Sequence, residues 1–280
     1  SSPGSKIHVS DPTWANHNGV FEAAGLKLDK YPYYDAQTKT LAFEAMIKTL
    51  KTIPAGDLLL LHGCCHNPSG MDPTPAQWTK IAAVVADRKI LPLVDFAYQG
   101  LGQGIDEDAV GLRTLGAACP EVLVASSFSK NFGLYNERVG AATVVCATAA
   151  AAVKAGSHVN IAIRRNYSNP PSHGGNVVAI ILGDPELRAE WQQEVAAIRD
   201  RIRKMRQLMV NTLKAKGVSR DFSFITGQNG MFSFSGLTRD QVDRLRKEHA
   251  IYIVGSGRIN VAGLTEANMD RFCSAVAGVL

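Results

Sequence analysis

The chain has 280 residues, of which 46% are hydrophobic and 20% are charged, and its formal net charge is +5. This composition is typical of a folded globular protein, and no apolar run approaches the roughly 20 residues that a membrane-spanning helix needs. The basic residues are scattered among acidic ones, which argues against nucleic acid as a partner and favours anionic small molecules.

Short apolar runs alternate with longer amphipathic ones in the first half of the chain, which indicates βα units and a mostly parallel sheet. The predicted strands are Ile7–Ser10, Leu28–Tyr33, Asp57–His62, Ile90–Phe96, Val122–Ser126 and Ala141–Ala147. Helices are predicted at Leu41–Lys51 and at Pro75–Asp87, where the proline follows Thr74 at a first-turn position. The alanine-rich stretch Ala147–Ala155 also favours a helix.

A long charged stretch, Asp184–Lys216, is predicted to form one helix that links two domains. Its apolar stripe is typical of core packing and consists of Leu187, Trp191, Val195, Ile198, Ile202, Met205 and Met209. The residues after it indicate an α+β arrangement. Strands are predicted there at Phe222–Thr226, Gly230–Ser235 and Ile251–Val254, and helices at Asp240–His249 and Thr265–Val279. The sequence thus predicts a large domain over residues 1–197 and a small domain over residues 198–280.

The cysteine and histidine patterns indicate neither disulfides nor a metal site. The five cysteines lie in or beside apolar runs without CxxC spacing, as buried thiols do in a reducing compartment. The seven histidines show no metal-ligand spacing such as HExxH. The first residues lack the charged and apolar regions of a signal peptide. We therefore expect a cytoplasmic protein without a metal.

Three strands of the predicted sheet end in residues of reactive types. Ligands of open parallel sheets bind at the carboxyl ends of the strands, so these residues are the first candidates for a site. They are His62, His66 and Asn67 after one strand, Asp95 and Tyr98 after the next, and Ser127, Ser129 and Lys130 after the third.

Lys130 lies just past a buried-type strand, among small hydroxyl residues. A lysine attacks a carbonyl carbon only when its pKa is lowered, because the protonated amine is not a nucleophile. The nearby hydroxyls, backbone amides and Arg138 could hold a phosphate. The alternative is an ordinary surface lysine at a strand end.

Asp95 ends an apolar strand, where an unpaired carboxylate is costly to bury and needs a cationic partner. A protonated pyridine nitrogen would serve. A lysine for an aldehyde and a carboxylate for a pyridinium are together what pyridoxal phosphate requires to act as an electron sink.

Several segments in order along the chain resemble the aspartate and aromatic aminotransferases: HNPSG, DFAYQG, SFSKNFGLYNERVG, SNPP and SGRIN. The resemblance runs from Trp14 to the C-terminus. It implies a fold-type I pyridoxal-phosphate enzyme, an α/β large domain with a C-terminal α+β domain, amino-acid and 2-oxo-acid substrates, and a homodimer with shared active sites.

The resemblance also implies roles for residues around the cofactor. Lys130 matches the lysine that holds pyridoxal phosphate as a Schiff base and moves a proton, and Asp95 matches the carboxylate that keeps the ring nitrogen protonated. Tyr98 and Asn67 match the groups that bond the 3′-oxygen of the ring. The remaining matches are Ser127 and Arg138 as phosphate ligands, Trp14 as the aromatic stacked on the ring, and His17 and His62 as supporting residues.

Two arginines match the substrate ligands of the family. Arg258 would pair with the substrate α-carboxylate, and Arg164, preferred over Arg165, would reach the distal carboxylate from the partner subunit. Asn67 and Trp14 would also contact the substrate, and Phe232 would line the pocket. Taken alone, both arginines have the alternative of ordinary surface residues.

Relative to the family, the chain is expected to lack an opening segment that carries the first central strand and part of the phosphate site. The sheet would then expose an edge or an apolar face unless something covers it. The leading hypothesis is transamination of aspartate, glutamate or an aromatic amino acid by a ping-pong mechanism. The alternatives are a lyase or decarboxylase of the same fold, and a chain that cannot complete the cofactor site.

Overall fold

The computed structural model describes residues 4–280, so the first three residues of the predicted large domain lie outside it. Its strands are β1 (Lys6–Asp11), β2 (Lys27–Pro32), β3 (Tyr34–Asp35), β4 (Thr40–Leu41), β5 (Leu58–His62), β6 (Leu91–Phe96), β7 (Val122–Ser127), β8 (Gly140–Val145), β9 (Phe232–Phe234) and β10 (Arg258–Asn260). Its helices are α1 (Asn16–Ala23), α2 (Phe43–Leu50), α3 (Pro75–Asp87), α4 (Val110–Ala118), α5 (Ala149–Asn166), α6 (His173–Gly183), α7 (Pro185–Ala215), α8 (Arg239–His249) and α9 (Glu266–Val279).

The main sheet has the strand order β2-β1-β5-β6-β7-β8. Its strands pair in parallel, except that β8 runs antiparallel to β7. All five residues of β5 are buried, because this central strand is covered on both faces. The predicted α/β fold with a mostly parallel sheet is therefore confirmed. The small sheets are β9 with β10 and β3 with β4.

Local signals explain where the best-predicted helices begin. Thr74 and Gln77 form a reciprocal capping box at the start of α3, with Pro75 in the first turn. Asp184 caps α7 by accepting hydrogen bonds from the backbone amides of Glu186 and Leu187. Within residues 4–280, no helix combines the length and apolar character that crossing a membrane would require.

Helix α7 contributes to two separate hydrophobic cores. Its residue Val195 packs in the core around the main sheet, whereas Ile202 and Met205 pack in a second core with α8 and α9. The change from one core to the other thus falls between residues 195 and 202, and we propose the domain boundary at residues 197 and 198.

Two strands predicted for the small domain are wrong. Residues 223–227 form a 3₁₀ turn, because Phe222 and Ile225, three residues apart, both turn into the second core. The stretch 251–254 forms no strand, and Tyr252 is 77% exposed. The strand that pairs with β9 is instead β10. Helices α1, α4 and α6 were not predicted.

Strand β8 forms one edge of the main sheet, and all six of its residues are exposed. Helix α5, which follows it, has no buried residue and carries exposed Val153, Val159 and Ile161. This edge of the sheet and the helix beside it thus present apolar side chains on the surface of the chain.

Candidate active site

Lys130 lies three residues beyond the end of β7, and its side chain is half-buried. Its Nζ lies 4.8 Å from the centre of the Tyr98 ring. Burial lowers the pKa of Lys130, the carboxylate of Asp95 opposes this shift, and the positive charge of Arg138 adds to it. The result is a lowered pKa, which is the condition for an amine that attacks carbonyl groups.

Asp95, on β6, is held in its charged form. Its Oδ2 lies 3.2 Å from Nε2 of His17 and 3.9 Å from Nε2 of His62. Burial acts to raise the pKa of Asp95, but the hydrogen bond from His17 and the influence of His62 and Lys130 leave it below the ordinary value. The Thr13 hydroxyl lies 2.8 Å from Nδ1 of His17. If Thr13 donates to Nδ1, the neutral imidazole donates its Nε2–H to Asp95.

His62 lies next to this carboxylate and His66 lies next to His62, with ring centres 4.2 Å apart, and both are neutral rings. Burial lowers the pKa of His62 to about 4 and holds the pKa of His66 well below its usual range. His66 is bonded to the hydroxyls of Ser10 and Ser69, at 3.0 and 2.7 Å. Within residues 4–280, neither ring nitrogen of His62 has a hydrogen-bond partner. Neutral, buried imidazoles of this kind are better suited to supporting the side chains of the site than to transferring protons at neutral pH.

A hydrogen-bonded chain runs from Tyr98 to Arg258. The Asn67 side-chain amide donates to the Tyr98 hydroxyl at 3.3 Å, and its oxygen accepts from Nη1 of Arg258 at 3.2 Å. The guanidinium of Arg258 lies 4.7 Å from the ring centre of Phe232. Burial raises the pKa of Tyr98, and neighbouring carboxylate charge adds to the shift. Tyr98 is therefore a neutral hydrogen-bond donor beside Lys130.

Ser127, Ser129 and Arg138 lie around the turn that carries Lys130. The Ser127 hydroxyl accepts a hydrogen bond from the backbone amide of Ser129 at 3.2 Å. Arg138 adopts a positive φ of 51°, and its side chain is exposed and donates to the carbonyl of Tyr135 at 2.9 Å. The hydroxyls and the guanidinium could bind an anion at this end of the sheet.

Trp14 and Arg164 differ in their contacts with the residues around Lys130. Trp14 is 40% exposed and contacts the His17 ring edge-on, with ring centres 5.2 Å apart. Arg164 is exposed in the last turn of α5, beside Arg165, and donates to the Ser168 hydroxyl at 2.5 Å. Among the described residues, Arg164 has no hydrogen bond to the cluster around Lys130.

Two groups of side chains have the spacing of metal ligands, with their donor atoms within 4.8 Å of one another. The first group is His17, His62 and Asp95, and one oxygen of the Asp95 carboxylate already contacts His17. The second group is Cys64, Cys65 and Asp108, and the Asp108 carboxylate accepts three hydrogen bonds from backbone N–H groups. The expectation of a protein without a metal stays a prediction.

The sequence interpretation missed two charged residues near the site. Asp72 accepts hydrogen bonds from the backbone amides of Cys65 and His66, both at 2.9 Å, and from the side chain of Asn229 at 3.1 Å. Arg206 is 2% exposed in α7. The available signal for Arg206 was its position four residues after Ile202, on the apolar stripe of a helix.

The strand-end lysine, the paired carboxylate and the buried imidazoles define a site for an aldehyde cofactor with a basic ring nitrogen. The chain belongs to the aminotransferase class I and II family, whose model matches residues 1–276. It is 56% identical over 280 residues to the aspartate aminotransferase of Salmonella typhi, covering 100% of this chain and 71% of that protein. It is 49% identical to the aromatic-amino-acid aminotransferase of Pseudomonas aeruginosa, covering 99% of this chain and 69% of that protein.

Solved structures show the same fold. The aromatic-amino-acid aminotransferase of Burkholderia pseudomallei, covalently bound to pyridoxal phosphate, matches with a TM-score of 0.98 and 49% identity, over 100% of this chain and 70% of that one. A mitochondrial aspartate aminotransferase from Trypanosoma brucei matches with a TM-score of 0.97 and 40% identity, over 99% of this chain and 73% of that one.

Proposed function

We propose that the protein transfers the amino group of aspartate, glutamate or an aromatic amino acid to a 2-oxo acid, with pyridoxal phosphate as cofactor, in a ping-pong reaction. The observation that carries this proposal is geometric: Nζ of Lys130 lies 4.8 Å from the ring centre of Tyr98, and Oδ2 of Asp95 lies 3.2 Å from Nε2 of His17. One site thus holds an amine with a lowered pKa and a carboxylate that stays charged.

The residues present suit this cofactor. Asp95 keeps its charge although it is largely buried, which suits a partner that brings a positive charge. When bound, pyridoxal phosphate acts as an electron sink for the charge that develops at the substrate Cα. Lys130 would hold the aldehyde, and Tyr98 and Asn67 would bond the ring oxygen. Ser127 and Arg138 would bind the phosphate, and Trp14 would stack on the ring.

Each residue then has a stated task in the reaction. With the cofactor bound, Lys130 would hold its aldehyde through the side-chain amine and would carry a proton once the substrate is bound. His17 fixes the orientation and charge of Asp95 through the 3.2 Å contact, and His62 supports the same carboxylate. Arg258 would bind the substrate α-carboxylate, because its guanidinium offers a bidentate fork.

The remaining proposals concern assembly. We propose a cytoplasmic homodimer with shared active sites, in which Arg164 reaches the distal carboxylate of a substrate in the partner subunit. What supports this is the exposure of Arg164 on α5, away from the Lys130 cluster of its own chain.

The test is the change in cofactor absorbance on adding single amino acids to the protein loaded with pyridoxal phosphate. We expect conversion from the aldehyde to the amine form, with release of a 2-oxo acid. Lys130→Ala should slow this conversion about 10²- to 10⁴-fold or more, because it removes the group that carries the proton. Lys48→Ala, which changes an exposed lysine of α2, should leave it unaltered.

Three outcomes would contradict the proposal. A spectrum indifferent to every amino acid would exclude transamination. Release of CO₂ or of a β-substituent without a 2-oxo acid would indicate a decarboxylase or lyase. Absence of a pyridoxyl adduct on Lys130 after borohydride reduction and peptide mapping would indicate a chain that does not hold the cofactor.

A further inference from the structure

Arg206 is a buried cation that binds backbone carbonyls rather than an acidic partner. Its Nη1 donates to the carbonyl of Ile225 at 3.2 Å and to the hydroxyl of Ser233. Its Nη2 donates to the carbonyls of Gly230 and Phe232, at 2.7 and 2.8 Å. Burial lowers the pKa of Arg206 to about 10, so the guanidinium keeps its charge at neutral pH.

Two acceptors of Arg206, Gly230 and Phe232, belong to a turn that contacts the large domain, residues 228–232. The backbone amide of Asn229 donates to the carbonyl of Gly70 at 2.6 Å, and its side chain donates to Asp72 at 3.1 Å. Gly230 lies so close to Cys65 that an added Cβ would be 2.5 Å from the Cys65 Cβ. The 228–232 turn therefore has little freedom on its large-domain side, and Arg206 holds its other side.

The same turn leads into the strand that positions Arg258. In the small sheet, Phe232 pairs with Asn260 and Phe234 pairs with Arg258. The Phe232 ring also lies against the Arg258 guanidinium. Loss of the bonds to Phe232 and Ser233 would free β9 to shift, and β10 would shift with it.

We infer that Arg206 is a positioning residue for the substrate α-carboxylate: it holds β9 and the 228–232 turn so that Arg258 points at the ligand. The inference rests on the proposed function, which gives Arg258 that ligand. Three of the four acceptors of Arg206 lie on this segment, on Gly230, Phe232 and Ser233. Without the guanidinium, buried carbonyls would lack partners and the segment would move to find them.

The test compares Arg206→Met and Arg206→Lys with a matched control, Arg201→Met. Arg201 lies on the same helix and also donates to small-domain carbonyls, those of Ala262 and Leu264, at 3.1 and 2.8 Å. The full chain loaded with pyridoxal phosphate is used throughout. The readouts are KM and kcat for aspartate and for phenylalanine, and the calorimetric Kd of succinate and of 3-phenylpropionate.

For Arg206→Met, we expect KM and Kd to rise about tenfold or more, because displacements near 1 Å have effects of this order. The factor should be the same for aspartate as for phenylalanine, which share the α-amino and α-carboxylate groups, and the same for succinate as for 3-phenylpropionate, which share one carboxylate. The kcat should change less than about threefold. Arg206→Lys should recover part of the affinity. Arg201→Met should stay within about twofold of the original protein.

Unchanged Kd and KM in Arg206→Met, with only a lower melting temperature, would overturn the inference. If Arg206→Met does not fold, Arg206→Lys decides, and affinities equal to those of the original protein would overturn it. An original protein that neither binds these acids nor transfers an amino group refutes the proposed function itself. An original protein that does both, with variants of unaltered affinity, refutes only the role of Arg206.

Discussion

The amine of Lys130 is subject to opposing influences. Burial lowers its pKa, Asp95 raises it, and Arg138 lowers it again. The net shift is downward, so more of the amine is unprotonated at neutral pH than in a free lysine. Under the proposed function the charge of Asp95 is needed for the ring nitrogen, and its effect on Lys130 is opposed by burial first and by a cation on the phosphate side second. Arg138 supplies that cation.

Arg138→Gln tests this balance. Removal of the positive charge should raise the pKa of Lys130, so capture of an aldehyde should require a higher pH than in the original protein. Pyridoxal, which carries no phosphate, is the probe, because its capture does not depend on Arg138 as a phosphate ligand. Borohydride trapping on Lys130 across a pH series gives the midpoint. Arg113→Gln, which removes a surface arginine paired with Asp106, is the control, and equal midpoints in all three proteins would contradict the prediction.

At the scale of elements, the loop after β5 and the 228–232 turn form a close contact between the two cores. Asp72 is its polar centre and binds amides on both sides. Burial raises the pKa of Asp72 from 3.8 to about 6. Because the folded chain holds this proton more tightly than the unfolded chain, the contribution of Asp72 to stability declines as pH rises through that interval.

Two glycines with the same φ allow the cost of backbone strain to be separated from the cost of a steric contact. Gly217 and Gly230 both have a φ of 76°, but an added Cβ at Gly217 meets nothing within 4 Å, whereas at Gly230 it meets Cys65. Gly217→Ala should lower the free energy of unfolding by about 1 kcal/mol, from backbone strain alone. Gly230→Ala should lower it by about 2–4 kcal/mol, because overpacking adds to the strain. Urea unfolding measures both, and equal losses would show that the contact yields easily.

How well each element could be predicted depends on what stabilises it. The central strand β5 is buried on both faces, and its apolar run at 58–61 therefore reveals it. Helix α3 was predicted with its exact bounds because Thr74 and Pro75 are local signals. Strand β9 lies within the predicted stretch Gly230–Ser235. Strand β10 was not predicted, because it has only three residues and depends on pairing with β9.

The sequence predicts those parts of the candidate site that lie at the carboxyl ends of the parallel strands. The contact of Asn67 with Tyr98 joins the segments that follow the neighbouring strands β5 and β6. The contact of His17 with Asp95 joins helix α1 to β6 at the same end of the sheet. The bond between Asn67 and Arg258 joins residues 191 positions apart, and only the family resemblance indicated that they belong together. Arg206 was missed because charged residues on a helix usually face solvent.

At the scale of the whole molecule, α7 joins the two ends of the site. Trp191 donates to the carbonyl of Asn131 at 2.7 Å and stacks on Phe132, with ring centres 4.5 Å apart, next to Lys130. About four helical turns further along, Arg206 holds the 228–232 turn. One continuous helix thus sets the separation between the lysine and the proposed carboxylate site.

Helix α5 has a different relation to the site. It has no buried residue, and Arg164 at its end does not join the Lys130 cluster of its own chain among the described residues. If Arg164 completes the site of a partner subunit, two defective chains can complement each other. Arg164→Ala alone should lose activity with aspartate and keep activity with phenylalanine, because only aspartate has a distal carboxylate.

Mixing Lys130→Ala chains with Arg164→Ala chains tests the shared site directly. In a mixed dimer, one site combines Lys130 of one subunit with Arg164 of the other, and the second site lacks both. Random exchange of equal amounts makes half the dimers mixed, so about one quarter of the original aspartate activity should return. Mixing Lys130→Ala chains with Lys48→Ala chains, which keep both Lys130 and Arg164, shows the effect of subunit exchange alone. If subunits exchange and no activity with aspartate returns, Arg164 does not act across the dimer.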